Sequence, residues 1–221
     1  MKNKISAVIF DMDGLMFDTE KMAFEGWKQA GKSAGFDITD EIILASIGRT
    51  KVDTEKIMKQ HFGEAFPYTE LRNQRVIYSQ NYIKSNGMPI KLGLLKLLDF
   101  LNEKGIKTAV ATSSDRIRTE ENLKCCNILD KFDNIVCGEE VERGKPEPDI
   151  FLLAAKKLGF RPAECIVLED SENGIKAAYK AGMRTIMIPD MITPTDDIKK
   201  LTHQIFESLE HVIGYIEGEI I

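Results

Sequence analysis

Short runs of β-branched and apolar residues recur along this chain, and their alternation with helix-like stretches constrains the fold more than any other feature. The first is ISAVIF at residues 5–10, which breaks off at Asp11, and KTAVA (107–111), NIVC (134–137), CIVL (165–168) and RTIMI (184–188) follow. Runs this short and apolar throughout suit strands buried on both faces of a parallel sheet. Before the four later runs lie residues 92–104, 116–126, 149–158 and 172–181, where the apolar residues fall at helical spacing. Strands alternating with helices predict right-handed crossovers and an α/β fold built on a doubly wound parallel sheet.

One segment breaks the rhythm. Between Thr19 and Asn86 the spacing predicts only helices: one through Met22, Phe24, Trp27 and Ala30 that ends near Gly35, one over 40–47 that stops at Gly48, one over 52–62 ended by Gly63, and one over 68–84. The expected organisation is therefore an α/β core of residues 1–16 and 88–221 with an inserted all-helical cap domain, residues 17–87. Ligands of open parallel sheets bind beyond the carboxyl ends of the strands, so a segment inserted there is expected to cover the site. After residue 188 the chain passes Pro189 and Pro194 into a polar, partly helical stretch.

Charge and composition exclude some partners. With 30 Lys+Arg against 35 Asp+Glu the formal net charge is −5. No basic field of the kind that neutralises nucleic-acid phosphates or anionic lipid is expected. No apolar run approaches the roughly 18 residues of a membrane span, and residues 5–10 are too short and too closely followed by acids for a signal peptide. The 4 cysteines form no CxxC pair and are expected to be packing residues in a reducing compartment. His61, His203 and His211 lie far apart without a zinc-ligand pattern.

The chemistry gathers where strands end. Asp11-Met12-Asp13-Gly14 follows the first strand directly, and two-residue spacing in extended chain puts both carboxylates on one side. Such crowding needs a cation or a proton, although Asp and Gly also suit a plain turn. The second strand ends in Thr112-Ser113-Ser114, hydroxyls able to hold an anion, with Ser114 and Asp115 also able to cap the next helix. Lys145 stands between a glycine and a proline, and Glu169-Asp170 ends the fourth strand with Gly174 just inside the helix that follows. Carboxylates, hydroxyls and a lysine together suit a phosphate and a hard divalent cation, magnesium before zinc because no His or Cys joins them.

In this combination the residues resemble the haloacid dehalogenase-like hydrolase superfamily, in the subgroup of β-phosphoglucomutase and small sugar-phosphate phosphatases. The resemblance spans nearly the whole chain and rests on the ordered set DMDGLMFDTE, ATSS, GKPEPD and VLEDSENGI. It implies that Asp11 is the nucleophile and Asp13 the general acid and base. It further implies that Thr112, the Ser113 amide and Lys145 hold the transferring phosphoryl group, and that Mg2+ is bound by Asp11, the Asp13 carbonyl and Asp170, with Glu169 a ligand or a support. Arg49 and Lys51, and less directly Arg75, are expected to contact the rest of the substrate. Dehalogenases of this type lack a counterpart of Asp13, which favours phosphoryl transfer. The mutases place a histidine on the first cap helix where this chain has Ala23, and Arg49 follows Gly48 directly instead of three residues later. The expectation is a cytoplasmic, monomeric phosphatase of small phosphorylated metabolites. A hexose-phosphate mutase is the alternative, and from another class a phospho-accepting receiver module, which needs only about half this length and no cap.

Overall fold

The computed structural model describes residues 4–47, 49 and 51–220. Gly48, the expected stop of the second helix, and Thr50 beside Arg49 lie outside the described residues. The chain folds into two compact units, one running to Phe17 and resuming at Ile90, the other Asp18–Pro89.

The first unit holds a six-stranded sheet of β1 (Ala7–Phe10), β2 (Lys107–Thr112), β3 (Asn134–Cys137), β4 (Cys165–Glu169), β5 (Arg184–Met187) and β6 (Gln204–Ile205) in the order β3-β2-β1-β4-β5-β6. Every pairing is parallel, as the sequence predicts. This is the strand order of a doubly wound, Rossmann-like sheet, whose direction of winding reverses between β1 and β4. In register, Phe10 pairs with Val110 on one side and Leu168 on the other. The Asp11 amide extends the pairing by donating to the Leu168 carbonyl at 3.0 Å, so Asp11 and Glu169 both stand one step beyond that rung.

Strand alternation then decides which residues face which helix. Ala7, Ile9, Ala109, Ala111, Cys165 and Val167 point to one face and pack against Ile150, Phe151 and Ala154 of the helix Asp149–Leu158. The same alternation turns Asp11 and Glu169 toward that helix. The polar stretch after residue 188 is partly helical as the sequence predicts, with helices Asp196–Leu201 and Glu210–Ile220, whereas the strand β6 between them has no sequence signal. β6 is two exposed residues at a sheet edge, too short to show a period.

The helical unit comprises α1 (Thr19–Ser33), α2 (Asp40–Ser46), α3 (Lys51–Phe62) and α4 (Tyr68–Asn86). Met22, Phe24, Trp27 and Ala30 form the buried stripe of α1, and Trp27 stacks on Tyr68 of α4 with ring centroids 5.8 Å apart. No helix among the described residues is long and apolar enough to cross a membrane. Of the cysteines, Cys137 and Cys165 are buried, whereas Cys125 is exposed and Cys126 only partly covered. The expectation that all four pack inside is thus corrected, because Cys125 is the last residue of the helix Arg116–Cys125 and Cys126 its C-cap.

Candidate active site

Lys145 is the centre of the buried charges. Its ammonium donates to Asp11 Oδ1 and, at 2.7 Å, to Glu169 Oε1, and its side chain is only 7% exposed. It also lies over the Phe151 ring, 4.9 Å from the centroid. Glu169 is the most enclosed, at 1% exposure. Its second oxygen accepts from the Ser171 amide at 2.7 Å and the Ser171 hydroxyl at 2.9 Å, so both oxygens are committed to protein donors. The same serine caps the helix Glu172–Lys180 by accepting from the Gly174 amide at 3.1 Å.

Burial is expensive for a carboxylate, and it dominates at Asp11. It pushes the Asp11 carboxyl up to about 8; Lys145 pulls the other way, and Glu169 and Asp13 add to the rise. Burial lowers the Lys145 ammonium, but the two carboxylates outweigh it and hold it above the ordinary lysine value. One ammonium shared by Asp11 and Glu169, with Asp13 nearby, leaves the carboxylates in excess and favours a further cation.

Asp170 supplies the remaining carboxylate. Ligand oxygens of Asp11, Glu169 and Asp170 all lie within 4.8 Å of one another. A side chain at Gly14 is excluded by this arrangement, since its Cβ would stand 2.3 Å from Asp170 Oδ2, and its backbone has φ +87°, suited to glycine. An all-oxygen cluster fits a hard divalent cation such as magnesium and offers none of the nitrogen or sulfur that zinc prefers. Both Glu169 oxygens already accept from protein donors, which suits Glu169 to support the cluster.

The chain turns after Met12, and the second carboxylate acquires partners of its own. Asp13 Oδ2 accepts from the Ser114 hydroxyl at 2.7 Å, and Oδ1 from Arg118 Nη2 at 2.9 Å. The sequence points to neither partner in this role: it places Ser114 in an anion-holding hydroxyl cluster or at a helix cap, and Arg118 carries no sequence signal. The cap of the helix Arg116–Cys125 is Asp115, which accepts from the Arg118 amide at 2.9 Å. Thr112 is buried, and its Oγ1 accepts from the Ser114 amide at 3.1 Å, so its own proton is the donor it offers. Ser113 is exposed at the same strand end. Arg49 and Lys51 are exposed residues of the helical unit, Lys51 opening α3. Arg75 of α4 lies over the Trp27 ring at 5.9 Å within that unit.

The model of one family, the haloacid dehalogenase-like hydrolases, matches residues 8–188. The chain belongs to that family. Among curated members, a phosphorylated carbohydrates phosphatase of Thermotoga maritima is 32% identical over 182 residues, covering 82% of this chain and 84% of the relative. A β-phosphoglucomutase of Bacillus subtilis is 32% identical over 185 residues, covering 81% of each. Among solved structures, CbbY of Rhodobacter sphaeroides in complex with phosphate has a TM-score of 0.76 at 24% identity over 94% of this chain and 96% of its own, a likeness of fold. The likeness of fold extends over nearly the whole chain.

Proposed function

We propose that this hydrolase is a magnesium-dependent phosphatase of small phosphorylated metabolites, sugar phosphates foremost, that works through an aspartyl-phosphate on Asp11. The observation that carries the reading is the pair of Asp11 and Lys145, buried together at the end of the central strand with Asp170 within ligand reach. A relative named as a phosphatase of phosphorylated carbohydrates supports that substrate class.

An Asp11 oxygen attacks phosphorus, the bond from phosphorus to the ester oxygen breaks, and that oxygen takes a proton from Asp13. In the second step Asp13 removes a proton from water, whose oxygen attacks phosphorus. The bond to Asp11 breaks, and inorganic phosphate leaves with Asp11 restored. Lys145 and the Thr112 hydroxyl hold the charge of the transferring group, in surroundings that exclude most water. Asp11, the Asp13 carbonyl and Asp170 would hold magnesium, which supplies positive charge to the phosphoryl oxygens and favours the ionised form of Asp11.

Replacing Asp11→Asn removes the nucleophile with little change in shape. Turnover of p-nitrophenyl phosphate with magnesium is expected to fall to background while circular dichroism stays that of the wild type. Wild-type-like turnover in the variant would sink the mechanism. The mutase relative supports a second reading, against which stands Ala23, buried in α1 without an imidazole. Given β-glucose 1-phosphate and a bisphosphate primer, a phosphatase releases inorganic phosphate and a mutase accumulates the 6-phosphate.

A further inference from the structure

We infer that Arg118 is a positioning residue that holds Asp13 as the base of the second, hydrolytic step, an inference that rests on the phosphatase reading above. Both oxygens of Asp13 accept, one from Ser114 Oγ at 2.7 Å and the other from Arg118 Nη2 at 2.9 Å. The two donors are not equivalent. A serine hydroxyl turns to accept from a protonated carboxyl as readily as it donates to an ionised one, whereas a guanidinium only donates. The Ser114 hydroxyl can therefore follow a proton that comes or goes at Oδ2, while Arg118 keeps its hold on Oδ1 throughout and so fixes the direction in which the Asp13 carboxyl faces the water.

Local helix stability does not explain the arginine. It stands in the first turn of the helix Arg116–Cys125, which has no acidic residue there. At that end the macrodipole disfavours a cation, by about 0.3–1 kcal/mol. The helix already has its cap, because Asp115 takes the Arg118 amide. With its side chain 51% exposed, the ion pair is screened and adds little to folding. What it contributes is the orientation of the Asp13 carboxylate, whose task in that step is to draw a proton from water as the bond from phosphorus to Asp11 breaks.

The test uses Arg118→Ala and p-nitrophenyl phosphate, whose phenolate departs without a proton, so that the first step makes no demand on Asp13 as an acid. Base catalysis is typically worth ~10²–10⁴-fold, and a base kept but poorly oriented is expected to lose about 10-fold in kcat. Because only the second step slows, nitrophenolate should appear in a burst approaching one equivalent. KM should fall in parallel with kcat, leaving kcat/KM within about threefold of the wild type. The melting temperature should not move. If kcat is unchanged, or if kcat and kcat/KM drop together with KM constant, while the wild type remains active, the role of Arg118 is overturned and the phosphatase reading stands. A wild type that hydrolyses neither the aryl ester nor any sugar phosphate overturns both.

Discussion

Gly174 is a residue whose purpose no local rule reveals. It occupies the first turn of the helix Glu172–Lys180, and helix propensity alone would make alanine better there by ~1 kcal/mol. Its neighbour reverses the sign. A Cβ on Gly174 would stand 1.7 Å from Glu169 Oε1, and Glu169 cannot retreat without giving up Lys145 and Ser171. Overpacking costs ~1–3 kcal/mol and disturbing a buried ion pair ~3–5 kcal/mol, so Gly174→Ala is expected to lose about 2 kcal/mol or more of stability. Urea denaturation reads this directly, and a stability equal to or above the wild type would refute it. At this scale Asp11, Lys145, Glu169 and Asp170 were all legible as candidates, because acids and a lysine at strand ends have no packing use. The Asp13 partners Ser114 and Arg118 lie 101 and 105 residues away in sequence, and no spacing rule reaches that far.

Single charged groups also join elements, Glu140 among them. It sits just past β3, where its Oε1 accepts from the Cys137 amide at 2.9 Å and from Arg116 at the start of its helix, and its Oε2 from Lys157 of the helix Asp149–Leu158 at 2.5 Å. Burial raises its carboxyl, but Lys157, the Cys137 amide and Arg116 outweigh that and hold it below the usual glutamate value of 4.5. A depressed carboxyl stabilises the fold above its unfolded value, and the contribution is lost as pH falls through the folded one. Glu140→Gln is expected to cost about 1.5–3 kcal/mol at pH 7, the worth of hydrogen bonds to a charged group. The gap between the two proteins should narrow as the pH drops below about 4.5; denaturation curves across pH 3–7 that stay a constant distance apart would contradict it. The elements themselves were legible where a period could repeat. The strands of four to six residues showed themselves and β6 with two did not, since edge pairing demands no apolar pattern.

For the molecule as a whole, the excess of buried carboxylates means that a divalent cation should bind the folded chain and not the unfolded one. Linkage then raises stability by about 2.7 kcal/mol at a hundredfold excess over Kd. Magnesium titrated into the wild type is accordingly expected to raise the melting temperature, and Asp170→Asn to abolish most of that rise. Equal shifts in both proteins would remove Asp170 from the site. By itself the sequence determined the parallel α/β layer, the helical insert and the set of strand-end acids, because strand and helix periods and chain breaks are local properties that survive without neighbours. Only the tertiary structure decided how those acids divide. Parallel register sets Asp11 level with Glu169 and under Lys145, while the turn after Met12 hands Asp13 to Ser114 and Arg118 beyond the next strand. Charge pairing across a sheet is settled by distance in space, and distance in space is what a linear order of residues does not contain.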